Sequence, residues 1–252
     1  MFLTGLVSVT YRKMTPAEII TAARTAQLSA IEWGGDIHVP MGETGTAARV
    51  GGMTRGAALQ PISYGTYYAA GTNGAQFEDV FRRCVETADI LGAPNLRLWA
   101  GKRNSEDVTK AERAAMVEEL RTCAKLAASR GKTISFEYHQ NSLTNCAPSA
   151  VQLIEELAMP NVSLYWQPNQ FVSFAQNVEN LQLVLPYVSN VHVFAWKEHD
   201  RFLLSEHADM WRRYLDILAQ NPSDHGLLLE FVPNDDPSLL CGEAATLRSW
   251  LK

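Results

Sequence analysis

Apolar runs alternate with amphipathic segments along the whole chain. Eight short runs are rich in leucine, β-branched and aromatic residues, and between them apolar residues recur at helical spacing. The runs that we predict as strands are residues 3–8, 30–33, 60–64, 95–99, 133–137, 163–167, 190–195 and 227–231. The pattern therefore predicts strands and helices that alternate from one end of the chain to the other.

Several predicted helices carry their own start and stop signals. Thr15 is a suitable N-cap with Pro16 at the first helical position, and Gly92 and Gly131 are natural helix stops. Further helical segments are predicted at residues 77–93, 106–131, 147–157, 177–187, 206–220 and 242–252. The segment 44–57 is the least regular, because glycines interrupt it.

Eight strand–helix units in 252 residues are what a (β/α)8 TIM barrel requires. We therefore predict an α/β protein with a single domain over residues 1–252. A doubly wound open sheet is the second choice, but no GxGxxG follows the first strand. No linker, charge block or low-complexity segment divides the chain.

Composition and charge limit the kinds of partner that we expect this protein to bind. The chain is 46% hydrophobic and 19% charged, with a net charge of −5, which is ordinary for a globular protein. A mildly acidic chain lacks the basic surface that nucleic acid requires. No apolar run is long enough to cross a membrane, and the first residues are typical of a strand rather than a signal peptide. We expect a cytoplasmic protein with no nucleic-acid or membrane partner.

Four cysteines, at positions 84, 123, 146 and 241, form no CxxC pair. Two of them, Cys84 and Cys123, fall inside helical patterns. This distribution favours structural thiols in a reducing compartment over disulfides or a cysteine nucleophile.

Polar residues end or interrupt four consecutive predicted strands. Glu137 ends TISFE, Gln167 follows SLYW, His192 lies inside NVHVF, and Glu230 follows three leucines. The C-terminal ends of barrel strands meet at one mouth, so these side chains are predicted to converge. Two carboxylates in an apolar setting are costly unless they are paired or bound to a metal, and a divalent cation would hold both ionised. The sequence therefore predicts a divalent cation at the mouth where these four residues meet.

This set of residues resembles the xylose-isomerase-like TIM-barrel superfamily of sugar phosphate isomerase/epimerase-like proteins. The superfamily also holds inosose and dehydroshikimate dehydratases and endonuclease-IV-type repair enzymes. Its usual metal site is Glu, Asp, His, Glu, which implies that Gln167 stands at the aspartate position. Gln170 stands where a histidine commonly follows three residues later. The resemblance implies Mn²⁺ or Mg²⁺, or else Co²⁺ or Zn²⁺, bound more weakly because an amide is neutral.

The resemblance also implies a reaction. Glu137 and Glu230 would be the catalytic residues of an isomerase or epimerase that transfers protons through an enediolate on a small sugar or hydroxy-keto compound. Two alternatives stay open: a dehydratase acting on a polyol-derived ketone at the same site, and a metal-poor barrel that binds a ligand without catalysis. Relatives often form homo-oligomers, and the chain is compatible with one.

Other residues near the predicted strand ends are candidates for substrate binding. Aromatic side chains could stack on the CH faces of a sugar, and basic or amide groups could donate hydrogen bonds to its hydroxyls. These candidates are Trp33, His38, Tyr64, Arg97, Trp99, His139, Asn169, Trp196 and Lys197.

Overall fold

The computed structural model describes residues 1–251, which form a closed barrel of eight parallel strands. The barrel strands are β1 (Phe2–Val7), β2 (Ala30–Gly34), β3 (Gln60–Ala69), β4 (Asn95–Trp99), β5 (Thr133–Glu137), β6 (Val162–Trp166), β7 (Val188–Val193) and β10 (His225–Leu229). Each strand pairs with its neighbours in chain order, and β10 closes the barrel against β1, where Leu6 pairs with Leu229. The prediction of a single-domain TIM barrel is confirmed.

Eight helices connect these strands and form the outer layer. They are α1 (Pro16–Thr25), α2 (Thr44–Gly56), α3 (Phe77–Leu91), α4 (Lys110–Ala128), α5 (Ala147–Leu157), α6 (Phe174–Val184), α7 (Ala208–Leu218) and α8 (Leu240–Trp250). Two short strands, β8 (Trp196–Lys197) and β9 (Asp200–Arg201), form an antiparallel hairpin after β7. Among the described residues, no helix is both long and apolar enough to cross a membrane.

The predicted helix signals are confirmed where they were strongest. The Thr15 side chain accepts from the backbone N–H of Glu18, and the Glu18 carboxylate accepts from the backbone N–H of Thr15, which makes a capping box. Gly92 ends α3 with φ +85°, a conformation that favours glycine. The glycine-rich segment forms helix α2. A Cβ atom at Gly51 would overlap the carbonyl oxygen of Leu91, so glycine at this position lets α2 approach that carbonyl.

Some boundaries differ from the prediction. β3 continues past Tyr64 to Ala69, and α4 ends at Ala128, three residues before Gly131. The β8–β9 hairpin was not predicted, because two-residue strands leave no periodic pattern.

Two apolar clusters of unequal size stabilise the barrel. The large one fills the layer between strands and helices and contains, for example, Ile31, Phe136 and Leu215. The small one lies apart from it and contains Val7, Val9, Tyr165 and Leu228. Since side chains alternate along a strand, one face of each strand packs on the helices and the other faces the barrel axis.

The buried cysteines are part of the apolar layer. Burial raises the pKa of the Cys84 and Cys123 thiols to about 12, so both are protonated at neutral pH. Cys146 is half-buried and Cys241 is exposed, and all four are free thiols.

Candidate active site

Five charged or titratable side chains meet inside the C-terminal half of the barrel. They come from five different strands or strand ends, and each is at most 7% exposed: Glu32, Arg97, Glu137, His192 and Glu230. The fold brings them together because Arg97 pairs in register with Ser135, two residues before Glu137, on the neighbouring strand. Arg97 is thus in direct contact with Glu32 and Glu137, which are 65 and 40 residues away from it in the sequence.

Arg97 is the cation of this cluster. Its Nε donates to Glu32 Oε1 at 2.7 Å, and its Nη1 donates to Glu137 Oε2. Burial opposes the charge on Arg97, but Glu137 and Glu32 outweigh that effect and raise the pKa of the guanidinium. Burial also raises the pKa of Glu32, yet Arg97 and His192 lower it to about 2. Arg97 and Glu32 are therefore an ion pair at neutral pH.

His192 lies between the carboxylates. Its Nε2 is 3.6 Å from Glu32 Oε2, and its ring packs at 4.6 Å, between centroids, from the ring of Tyr165. Burial lowers the pKa of His192, but Glu230 and Glu32 outweigh burial and raise it. The Nδ1 atom lies 2.9 Å from the amide oxygen of Gln167, and a hydrogen bond between them requires the ring to carry a proton on Nδ1.

Glu230 differs from Glu137 in its surroundings. Burial raises the pKa of Glu230; the nearby charge of His192 lowers it, and Glu137 raises it again, with a net upward shift. Glu137 instead has the guanidinium of Arg97 in direct contact. The two carboxyl groups at the mouth thus have unlike environments, which is the usual arrangement for a paired acid and base.

The four predicted metal ligands converge on one point. His192 Nδ1 lies 2.9 Å from Gln167 Oε1, 3.4 Å from Glu230 Oε2 and 4.0 Å from Glu137 Oε1. Bonds of about 2.1 Å around Mg²⁺ would place adjacent ligand atoms about 3 Å apart and opposite ones about 4 Å apart. The three distances from His192 Nδ1 are close to these values, and all four side chains are of types that divalent cations accept as ligands.

The set is nevertheless not a ready-made metal site. Across residues 1–251, no group of three or more His, Cys, Asp and Glu side chains is arranged to hold a metal ion. The fourth donor is the neutral Gln167, whose amide oxygen lies 2.9 Å from His192 Nδ1. An ion could bind Nδ1 only in the neutral ring with its proton on Nε2, so its affinity should rise with pH as the imidazolium form is lost.

A floor of small polar residues supports the charged cluster from the N-terminal side. Ser63 donates to Asn95 Oδ1 at 3.0 Å, and Asn95 donates to Ser135 at 2.7 Å. Ser135 also contacts the hydroxyls of Ser163 and Ser189 at 2.8 and 2.9 Å. Because these groups bond to one another, each of the five side chains named here has a hydrogen-bond partner inside the barrel.

Above the cluster, the barrel opens into a mouth of ≈ 170 Å³. Several predicted residues line it: Arg97, Trp99, Glu137, His139, Gln167, Trp196 and Glu230. The ring of His139 lies 4.5 Å from that of Trp99, between centroids, and its Nδ1 is 2.7 Å from the carbonyl oxygen of Gln140. The mouth thus combines an aromatic wall with the charged cluster.

Three predicted substrate contacts lie elsewhere. Trp33 is fully buried against α2, where its Nε1 donates to Thr54 at 3.2 Å. The Tyr64 hydroxyl donates to the carbonyl of Val39 at 2.9 Å, also in the outer apolar layer. His38 is buried with its Nδ1 3.0 Å from the Ser8 hydroxyl. These placements correct the prediction that the three residues border the mouth.

The other two predicted contacts are on loops beside the mouth. Asn169 Oδ1 accepts from the backbone N–H of Phe171 at 2.9 Å and therefore shapes the loop after β6. Lys197 is exposed on the β8–β9 hairpin. Both residues line a neighbouring pocket rather than the mouth itself.

The sequence interpretation missed Glu32 and Tyr67. Glu32 had a signal, since it is a lone carboxylate inside the apolar run AIEW. Tyr67 had none: it has φ +58° within β3, and its ring lies 5.6 Å from the Arg97 guanidinium carbon. Cation–π contact of this kind adds to the stabilisation of the arginine.

Comparison with known proteins agrees with this fold. Residues 20–249 match the family model described as xylose isomerase-like TIM barrel. A 3-dehydroshikimate dehydratase of Bacillus anthracis is 27% identical over 127 residues, which are 47% of this chain and 44% of that protein. The aligned part of the chain thus spans less than half the length of that relative.

Solved structures share the whole barrel. The probable 3-DHS dehydratase involved in petrobactin synthesis from Bacillus anthracis superposes with a TM-score of 0.81 at 18% identity, covering 98% of this chain and 99% of that one. An L-ribulose 3-epimerase has a TM-score of 0.69 at 15% identity, with 99% and 94% covered. A barrel protein from Mycobacterium smegmatis in complex with magnesium has a TM-score of 0.70 at 14% identity, with 99% and 98% covered. At these identities the likeness is one of fold.

Proposed function

Because the chain belongs to the xylose isomerase-like TIM barrel family, we propose that it transfers protons next to the carbonyl group of a small polyhydroxylated compound, as an isomerase or epimerase. The observation that carries this proposal is the convergence of Glu137, Gln167 and Glu230 on His192 Nδ1 at the barrel mouth. Such a cluster places an acid and a base within reach of one bound molecule.

The two glutamates have distinct roles in this proposal. Glu137, in contact with Arg97, is the base that removes the proton alpha to the carbonyl group. Glu230 faces the same space, and its carboxyl group returns a proton to the neighbouring carbon or oxygen. Arg97 fixes Glu137 and contributes positive charge where negative charge develops on the substrate.

A divalent cation, Mn²⁺ or Mg²⁺, fits this proposal as a cofactor held by Glu137, Gln167, His192 and Glu230. When bound, it would polarise the carbonyl oxygen of the substrate. The amide of Gln167 contributes no charge, so we expect weaker affinity than a fourth charged ligand would give. The magnesium complex of the barrel protein from Mycobacterium smegmatis supports a metal in this fold.

A second candidate reaction is dehydration. It is favoured by the relative from Bacillus anthracis, whose name is 3-dehydroshikimate dehydratase. The same base would remove the alpha proton, and the protonated Glu230 would donate its proton to the departing hydroxyl group. Only the fate of the hydroxyl group separates this reaction from the first.

One experiment tests both reactions. The protein is incubated in D₂O with ketohexoses, ketopentoses and 3-dehydroshikimate, with and without Mn²⁺, and followed by NMR and absorbance. Exchange of a C–H proton for deuterium without loss of water supports an isomerase or epimerase; a new conjugated product supports a lyase. If none of these compounds gives either signal, the enzymatic proposal is contradicted. The remaining alternative is then a barrel that binds a ligand without catalysis.

The metal is tested separately, with a substitution that keeps the shape of the site. Gln167→Glu places a charged oxygen where the amide oxygen now lies 2.9 Å from His192 Nδ1. We expect calorimetry to show Mn²⁺ binding that is tighter in Gln167→Glu than in the wild type and lost in His192→Ala. Equal affinity in all three proteins would mean that Mn²⁺ binds elsewhere.

A further inference from the structure

A second pocket of ≈ 300 Å³ lies beside the mouth. It is enclosed by the loop after β6, the end of β7, the β8–β9 hairpin and one face of α7. Gln170, Phe194 and Trp196 line both this side pocket and the mouth. The loop and the hairpin are joined where the backbone N–H of Glu198 donates to the carbonyl of Gln170 at 3.1 Å. The two spaces are therefore adjacent, with Gln170, Phe194 and Trp196 at the border between them.

The walls of the side pocket are largely aromatic. Phe174 lies 5.4 Å from Tyr214, and Trp211 lies 5.5 Å from the same ring at 85°, measured between centroids. Trp211 and Tyr214 are each about 1% exposed, and Trp211 is fixed because its Nε1 donates to the carbonyl of Phe194 at 2.8 Å. Rigid faces and edges of this kind suit a flat ring.

The polar groups of the side pocket favour an anion. Lys197 and His207 line it, and no aspartate or glutamate does. Lys197 has no ion-pair partner within residues 1–251. An exposed lysine above an apolar cavity adds an electrostatic attraction for a carboxylate that the aromatic walls cannot provide.

A buried donor also belongs to a residue that lines the side pocket. The Tyr214 hydroxyl has no hydrogen-bond partner among the described residues, although the side chain is almost fully buried. The nearby amide of Asn177 is engaged in both directions with the backbone of Asn169, at 2.8 and 2.9 Å. A buried hydroxyl without a partner is costly, and an acceptor on a bound ligand would remove that cost.

We propose that the side pocket is a subsite for a ring that bears a carboxylate and that forms the far part of the substrate. This inference rests on the proposed function, since the hydroxy-carbonyl end of the same molecule would occupy the mouth. The mouth alone, at ≈ 170 Å³, is smaller than the roughly 300–1,000 Å³ of most ligand pockets. The substrate is then a polyhydroxylated carbonyl compound with a cyclic, anionic extension rather than a free simple sugar.

The test uses benzoate as the probe and benzyl alcohol as its neutral analogue, with binding measured by calorimetry. We expect benzoate to bind at least about tenfold more tightly than benzyl alcohol, as a charge-assisted contact would give. Lys197→Met and Tyr214→Phe should each weaken benzoate binding several-fold. Lys102→Met, which removes another exposed lysine from a different pocket, is the matched control and should not change it.

Glu230→Gln separates this inference from the proposed function. Benzoate bound in the mouth would gain affinity when the Glu230 charge is removed, whereas benzoate in the side pocket would not. Absence of benzoate binding, or binding that responds to Glu230→Gln but not to Lys197→Met and Tyr214→Phe, would overturn the subsite. Benzoate binding that responds to the variants as expected would support the subsite. If no polyol undergoes proton exchange at the same time, only the proposed reaction is contradicted.

Discussion

A Cβ atom at Gly65 would lie 2.6 Å from Nη2 of Arg97, so this glycine provides the space that the guanidinium occupies. The same atom would lie 3.1 Å from Glu32 Oε1. Arg97 is held on both sides, by Glu32 and Glu137, and it cannot move aside without breaking an ion pair. Because Gly65 in β3 has no side chain, Arg97 and Glu32 can form their ion pair at the centre of the site.

Gly65→Ala should therefore destabilise the protein. We expect the free energy of unfolding to fall by about 1–3 kcal/mol, the usual cost of overpacking a buried site. Urea denaturation measures this change. Gly52→Ala is the control, because a Cβ there meets nothing within 4 Å in α2 and should stabilise the helix by roughly 0.5–1 kcal/mol. A Gly65→Ala protein as stable as the wild type would show that Arg97 moves freely.

Replacing Arg97 should lower the free energy of unfolding by more than Gly65→Ala does. Arg97→Leu leaves Glu32 and Glu137 buried without their cation, and removal of one partner from a buried ion pair costs about 3–5 kcal/mol. Arg97→Lys keeps the charge but cannot reach both carboxylates, so an intermediate loss is expected. Thermal and urea unfolding would measure both. Arg82→Leu, which removes an exposed partner of Glu78, should change stability by less than about 1 kcal/mol.

Stability at acid pH should depend on Glu32. Its pKa is about 2 in the folded protein, below the ordinary value of 4.5. The ionised form therefore favours folding at pH values above about 4.5, and this contribution is lost as the pH falls from 4.5 to 2. In Glu32→Gln the fall in unfolding free energy over this window should be shallower, by up to about 1.4 kcal/mol per pH unit. Identical slopes for the two proteins would contradict the assigned ionisation.

Glu230→Gln should separate stability from activity. The pKa of Glu230 is raised, so its ionisation opposes folding as the pH rises through its folded-state value. At pH 8 the variant should be at least as stable as the wild type, whereas proton exchange should slow by about 10²–10⁴-fold. Chemical denaturation and deuterium exchange into the substrate measure the two effects. Unchanged exchange would exclude Glu230 as the proton donor.

Much of the fold could be predicted because its signals are local. Each strand–helix unit carries its own periodicity, and caps such as Thr15 and Gly92 fix the helix ends. The convergence of Glu137, His192 and Glu230 was also predictable, since parallel barrel strands all end at the same mouth.

It was harder to predict which residues of each strand point to the barrel axis and which pack against the helices. Every residue of β2 is buried on one face or the other, so the run AIEWG alone does not show which residues point to the axis. In β2, Glu32 contacts Arg97 at the axis, and alternation then places Trp33 against α2. In β3, Ser63 bonds to Asn95 inside the barrel, which turns Tyr64 outward. Recognition of Glu32 as an interior carboxylate would have excluded Trp33 from the predicted site.

The contact between Arg97 and Glu137 also joins two halves of the molecule. Strands β1–β4 contribute Glu32 and Arg97, which balance each other, whereas the later strands contribute Glu137, His192 and Glu230. The second half alone would have to bury two carboxylates with one histidine as counter-charge. A chain divided within α4 should therefore recover its structure only when both fragments are mixed, because the arginine of the first completes the interior of the second.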